Sequence, residues 1–128
     1  MSISNPDIYK VAVPEGLRGD LEEAIREAAA ESNLTDEFSI STVDPQEAAS
    51  ELQFDPLTAL VVLKFVLESA AAFLVGMAVE RMIKKISVRQ PGGARIIVMF
   101  PDGEIETIDT SDAAATKAAL KRLKDGVA

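Results

Sequence analysis

The chain has 128 residues, 48% of them hydrophobic, and a formal charge of −8, which is the length of a single domain able to bury a core without disulfides or metal. It contains no cysteine and no histidine, which excludes thiol redox chemistry and thiolate metal sites and removes the commonest general base. The acidic balance argues against nucleic acid as a partner, because binding phosphate requires a basic surface.

The charge is unevenly spread. Residues 1–55 carry thirteen acids against Lys10, Arg18 and Arg26, a net of −10, whereas residues 56–128 carry ten bases and eight acids, a net of +2. The two halves can attract each other or attract distinct partners. The opening MSISNPDIY has neither a basic region nor an apolar core of secretory type, so a cytoplasmic location is expected.

Ile8–Val13 alternates between Pro6 and Pro14 and predicts a strand. From Gly16 to Glu31 the positions of Leu17, Leu21, Ala24, Ile25, Ala28 and Ala29 have helical spacing, with Asp20, Glu22, Glu23 and Glu27 turned outward. That carboxylate run lacks the glycine turn of a hard-cation loop and reads as a solvated face. Glu37–Val43 predicts a second strand. A polar connector follows, with a helical turn over Gln46–Leu52, and Asp55–Pro56 marks a helix start.

The stretch Pro56–Ile86 is the longest run without a turn signal and predicts one long apolar helix. Val62, Val66, Phe73 and Met77 form a stripe, with Lys64 and Glu68 in a notch opposite. Ser69, Ala72 and Gly76 present small side chains at the spacing that lets another helix approach closely. Arg81, Lys84, Lys85, Arg89 and Arg95 are the basic concentration of the chain; they either supply the cations that a helix C-terminus favours or form a docking patch for an acidic partner, such as the Glu22, Glu23 and Glu27 face of another copy. Six residues, Ser69, Ala72, Gly76, Arg81, Lys84 and Lys85, are the candidate partner-binding set. An alternative places residues 57–79 across an inner membrane. Roughly twelve strong hydrophobes at about −0.3 to −0.6 kcal/mol are then nearly cancelled by two central charges at about +2.5 to +3.5 kcal/mol each.

Beyond that helix, Ile86–Arg89 predicts the start of a strand, and Pro91, Gly92 and Gly93 a hairpin turn, not a phosphate loop. Arg95–Phe100 is an apolar strand, Pro101–Gly103 a second turn and Glu104–Ile108 its return strand. Thr110, Ser111 or Asp112 caps a last helix, Ala113–Lys124, with Leu120 and Leu123 inward and Gly126 as its stop.

These elements predict a single α+β domain over residues 1–128. It has two layers: a small mixed sheet of four or five strands, packed on the long apolar helix with amphipathic helices at both ends. An apolar, small-residue-rich helix ending in ERMIKK, followed by FPDGEIETID and a leucine-bearing helix, resembles the effector-associated constant component family. The resemblance implies a small accessory module encoded beside peptidases or other effectors in bacterial conflict systems, and it supplies no catalytic residues.

The residues themselves offer little for catalysis. Lys64 and Ser69 lack stacked helical spacing, and Asp109 and Asp112 are accounted for by capping. No catalytic residue, cofactor or metal is expected, an enzyme being the least favoured reading. The favoured one is a non-enzymatic protein-protein interaction or oligomerisation module that binds a protein partner or itself.

Overall fold

The computed structural model describes residues 7–36, 38–52, 60–67, 73–89 and 94–125. Strand β1 (Asp7–Pro14) passes through a single 3-10 turn (Glu15–Leu17) into α1 (Arg18–Glu31). Then come β2 (Phe38–Val43), α2 (Pro45–Leu52), β3 (Leu60–Leu67) and α3 (Phe73–Arg89). The hairpin β4 (Arg95–Met99) and β5 (Ile105–Asp109) leads to α4 (Ala113–Asp125). The α+β class is as the sequence predicts, and so are both flanking helices, the early strands and the late hairpin. The turn expected at Gln46–Leu52 is a full helix beginning at Pro45.

The predicted long helix over Pro56–Ile86 is not formed. Its first part is β3, an eight-residue strand reading LVVLKFVL, and only its second part, from Phe73, is helical. Three valines and a phenylalanine within eight residues suit a pleated surface better than a helix, where branching at Cβ restricts the side chain. The strand is hydrogen-bonded on both sides, to β1 and to β2. One of its faces is covered by the main core and the other partly, by α2 over Leu60 and Val62, so it shows little of the polar alternation of a half-exposed strand. Residues 57–79 therefore form no spanning helix, and no helix among the described residues is long and apolar enough to cross a membrane. Ile86–Arg89, expected as a strand, continues α3, and Ile86 is fully buried in the core. The boundary at Asp55–Pro56, the turn at Gly92–Gly93 and the stop at Gly126 lie outside the described residues.

The sheet is wholly antiparallel, not mixed, with order β2-β3-β1-β4-β5. β1 and β2 flank β3 and are joined through α1, while β3 and β4 flank β1 and are joined through α3. These are two interleaved split β-α-β units, the ferredoxin-like arrangement, to which α2, β5 and α4 are added. One face of the sheet carries Tyr9, Val11, Leu63, Phe65, Leu67, Ile96 and Val98 into a core shared with α1, α3 and α4. The other face has a smaller core, in which Ala48 and Leu52 of α2 pack on Ala12, Leu60, Val62 and Ile97.

Local chemistry closes the elements. α1 ends with Asn33 at φ 57° and Leu34 N–H donating to the Ala29 carbonyl at 2.8 Å, a left-handed closure that also folds Leu34 back onto the core. In the β4–β5 turn Pro101 fixes the first corner and Gly103 takes φ 92°, a conformation that only glycine adopts without strain. Phe100 and Glu104 are joined there at 2.8 Å.

Candidate functional site

Two surfaces bear on function. The first is the seam between α1 and α3. Arg81 bridges Glu27, at 3.3 Å, and Glu31; Lys85 lies 3.8 Å from both Glu23 and Glu27. The hydrogen bond to Glu31 is the main reason the Arg81 guanidinium is held above its ordinary range; the charges of Glu31 and Glu27 add to it, and partial desolvation opposes them. The acidic face of α1 thus meets the basic end of α3 within one chain, joining the oppositely charged halves of the sequence. Lys84 is exposed and lies 3.9 Å from Glu80, one turn back. A groove of about 480 Å³ runs beside these groups, with Met77 at its floor.

Of the sequence-predicted set, Arg81, Lys84 and Lys85 stand together at this end of α3. Gly76 is buried earlier on the same helix, and Ser69 and Ala72 lie outside the described residues.

The second surface is the half of the second sheet face that α2 leaves uncovered. Register builds it. Ile8 stands opposite Val66, and Lys10 opposite Lys64, on β1 and β3; Lys10 faces Met99 on β4, and Met99 faces Ile105 on β5. Pleating sends these residues to the same face as Ala12 and Val62. There α2 seals the row Val43, Val62, Ala12 and Ile97, and Met99 and Ile105 pack partly against the same cluster; among the described residues Ile8, Val66 and the two lysines lie beyond it. Ile8 is 36% exposed, the exposed large hydrophobic residue among the described ones, and Val66, Met99 and Ile105 are half-buried beside the two lysines. The serines Ser39 and Ser41 of β2 continue the surface and are exposed.

Sequence reasoning does not single out this second surface, because its lysine-bearing strands β1 and β3 are far apart in the chain and only β4 and β5 adjoin as a hairpin. The signal available is the lone lysine inside each of two otherwise apolar runs, YKVAV and VLKFV. A charge is retained in such a run only where it reaches water or a partner.

A third depression, of about 810 Å³, lies between the β4–β5 turn and α4 and is lined by Phe100, Asp102, Ala118 and Lys121, among others. Its charges are mixed, and Glu106 and Arg122 pair across it at 2.9 Å. Among the described residues no group of three or more acidic side chains is placed to hold a metal ion.

No protein-family model matches the chain, and no match is found among curated proteins or among solved structures.

Proposed function

We propose that this chain is a non-enzymatic protein-protein interaction module whose working surface is the uncovered half of the second sheet face. The supporting observation is the part-exposed apolar pair Ile8 and Val66 beside Lys10 and Lys64, bordered by Met99 and Ile105, which pack partly against the cluster that α2 covers. A single exposed hydrophobe needs no explanation, but a contiguous group bearing two like charges in cross-strand register is poorly suited to stability alone. The partner that fits is a protein segment with apolar side chains and one or two carboxylates. Carrying over the resemblance to the effector-associated constant component family, we propose that such a module serves beside a bacterial effector, as an accessory part and not as its catalyst.

Selection of a random displayed peptide library on the purified chain tests this reading. Binders should combine apolar and acidic residues and be lost when Ile8→Asp or Lys64→Glu is introduced, while Lys84→Glu leaves them in place. Binders that ignore both substitutions would remove this face from consideration.

A further inference from the structure

The two edges of the sheet are built differently. At one edge, β5 carries Glu106 and Asp109, and Glu106 is engaged by Arg122 of α4. Charges on an edge strand deter pairing with another chain. At the other edge, β2 reads FSISTV. It has no charge, no proline and no glycine, and its register with β3 advances one residue at a time from Phe38 opposite Leu67 to Val43 opposite Val62, with no bulge. Ser39, Ser41 and Thr42 are exposed, and among the described residues no strand pairs with its outer side. Among the described residues this edge, composed largely of strand-forming residues, carries none of the usual protections within the strand itself.

We propose that the outer edge of β2 is a self-association site, at which β2 pairs antiparallel with β2 of a second copy and joins two five-stranded sheets across a two-fold axis. The occupant follows from charge. A chain of net −8 repels its copies over most of its surface, and β2 is uncharged throughout, so pairing it with itself sets no like charges opposite one another. The same operation on β5 would bring carboxylates together. At one end of β2, Thr42 accepts a hydrogen bond from Arg18 at 3.3 Å, and the Arg18 side chain is about half exposed. At the other end the exposed Asp36 precedes the strand. Antiparallel pairing of β2 with its copy brings the end bearing Arg18, which also holds exposed Asp44 and pairs Arg18 with Glu22 at 3.7 Å, to the Asp36 end of the other chain, twice over by symmetry. The outer backbone edge of β2 adjoins the half-face around Ile8 and Lys64, which Ser39 and Ser41 continue, but engages a partner through backbone groups and not through that face.

Sedimentation equilibrium of the full chain tests the proposal. The mass should rise from 13.7 kDa toward twice that value between about 10 µM and about 1 mM, the range expected of a modest interface. Amide hydrogen exchange at Ser39–Thr42 should slow over the same range. Replacing Ser39→Glu and Ser41→Glu together, which a two-fold axis brings near their copies while Lys64 tolerates the new carboxylate beside it, should weaken self-association at least about tenfold. Ser41→Thr should preserve it. A chain that stays at 13.7 kDa throughout overturns the proposal, even if an extended peptide binds the same edge, and so does a dimer that survives both glutamates. Should the glutamate pair unfold the chain, the exchange profile of the unsubstituted protein decides, since β2 amides indifferent to concentration contradict the pairing. Because Ser39 and Ser41 stand opposite Val66 and Lys64, the glutamate pair also alters the Ile8 face, so peptide capture is measured on the unsubstituted chain, where absence of self-association without loss of capture separates the two readings.

Discussion

Lys10 and Lys64 stand directly opposite each other on β1 and β3, two half-buried lysines in the middle of a sheet face whose neighbouring positions are Val66, Ala12 and Met99. Like charges so placed destabilise an antiparallel pair by about 0.2–1 kcal/mol. Lys64→Met removes the repulsion and adds an apolar side chain of similar length. It is expected to raise the denaturation midpoint by an amount in that range while reducing capture of acidic peptides. A gain in stability with loss of binding is the trade that a recognition surface makes. Unchanged or lower stability would show that the two ammonium groups are accommodated without cost.

Alanine substitutions along β3 distinguish its buried and half-open faces. Leu63, Phe65 and Leu67 are fully buried in the main core, so Phe65→Ala should cost about 3–5 kcal/mol and Leu63→Ala about 2–5 kcal/mol. Val66→Ala, on the half-open face, should cost clearly less. Large losses at alternate positions identify a strand; on a helix, residues two apart point in different directions. Urea denaturation of each variant gives the series.

That alternation is what the sequence conceals. LVVLKFVL satisfies a helical stripe as well as a central strand, because it is apolar on both faces and only Lys64 interrupts it. The strands bounded by turn residues, Asp7–Pro14 and Arg95–Met99, were legible, as was the amphipathic α1, whose inward alanines leave one period possible, although Asp20, expected outward with Glu22, Glu23 and Glu27, is buried in the helix's first turn. The partners of Arg81 and Lys85 were not. Their position at a helix end can be read from spacing, but their pairing with Glu23, Glu27 and Glu31 depends on α1 and α3 crossing the same sheet face. The Ile8 surface depends on register across four strands, which no local pattern carries.

The α1–α3 seam should be sensitive to salt. Arg81→Gln leaves Glu27 and Glu31 facing each other without their shared cation and should lower the thermal midpoint. The loss should shrink near 0.5 M salt, where the Debye length falls to roughly 4–5 Å. Combining Arg81→Gln with Glu27→Gln should cost less than the two changes measured separately, because they remove one interaction. Strict additivity and salt independence would mean that Arg81 acts only through its packed stem.

α4 starts at a cap that its sequence predicts. Of Thr110, Ser111 and Asp112, it is Asp112 whose carboxylate accepts the Ala115 N–H, at 3.0 Å, two other roles being taken by its neighbours. Thr110 Oγ1 accepts the Ala94 N–H at 2.6 Å and ties the far end of the hairpin. Asp112→Ala should therefore cost about 0.5–2 kcal/mol, and Asp112→Ser should recover most of it. Equal losses from both would assign the effect to something other than the cap.

Asp109 makes the acid limb of stability testable. Its carboxylate accepts the Ser111 hydroxyl at 2.6 Å and the Ser111 N–H at 3.0 Å. The hydroxyl contributes most to holding its pKa below the ordinary 3.8, followed by the backbone bond; partial desolvation opposes them, and Arg95, its cross-strand neighbour, adds a smaller pull. A carboxylate with a lowered folded-state pKa binds fewer protons folded than unfolded. Its stabilising contribution is therefore complete above the ordinary value and is lost as pH falls through the folded value. Ser111→Ala deletes the hydroxyl bond and leaves the backbone one. The Asp109 carbon resonance should then titrate at a higher pH, closer to 3.8. At neutral pH the variant should be less stable than the parent, and the two denaturation curves should converge as pH falls from about 4 toward the parent's lower pKa. A stability gap that stays constant down to about pH 2 would trace the loss to the turn itself and not to the charge it holds.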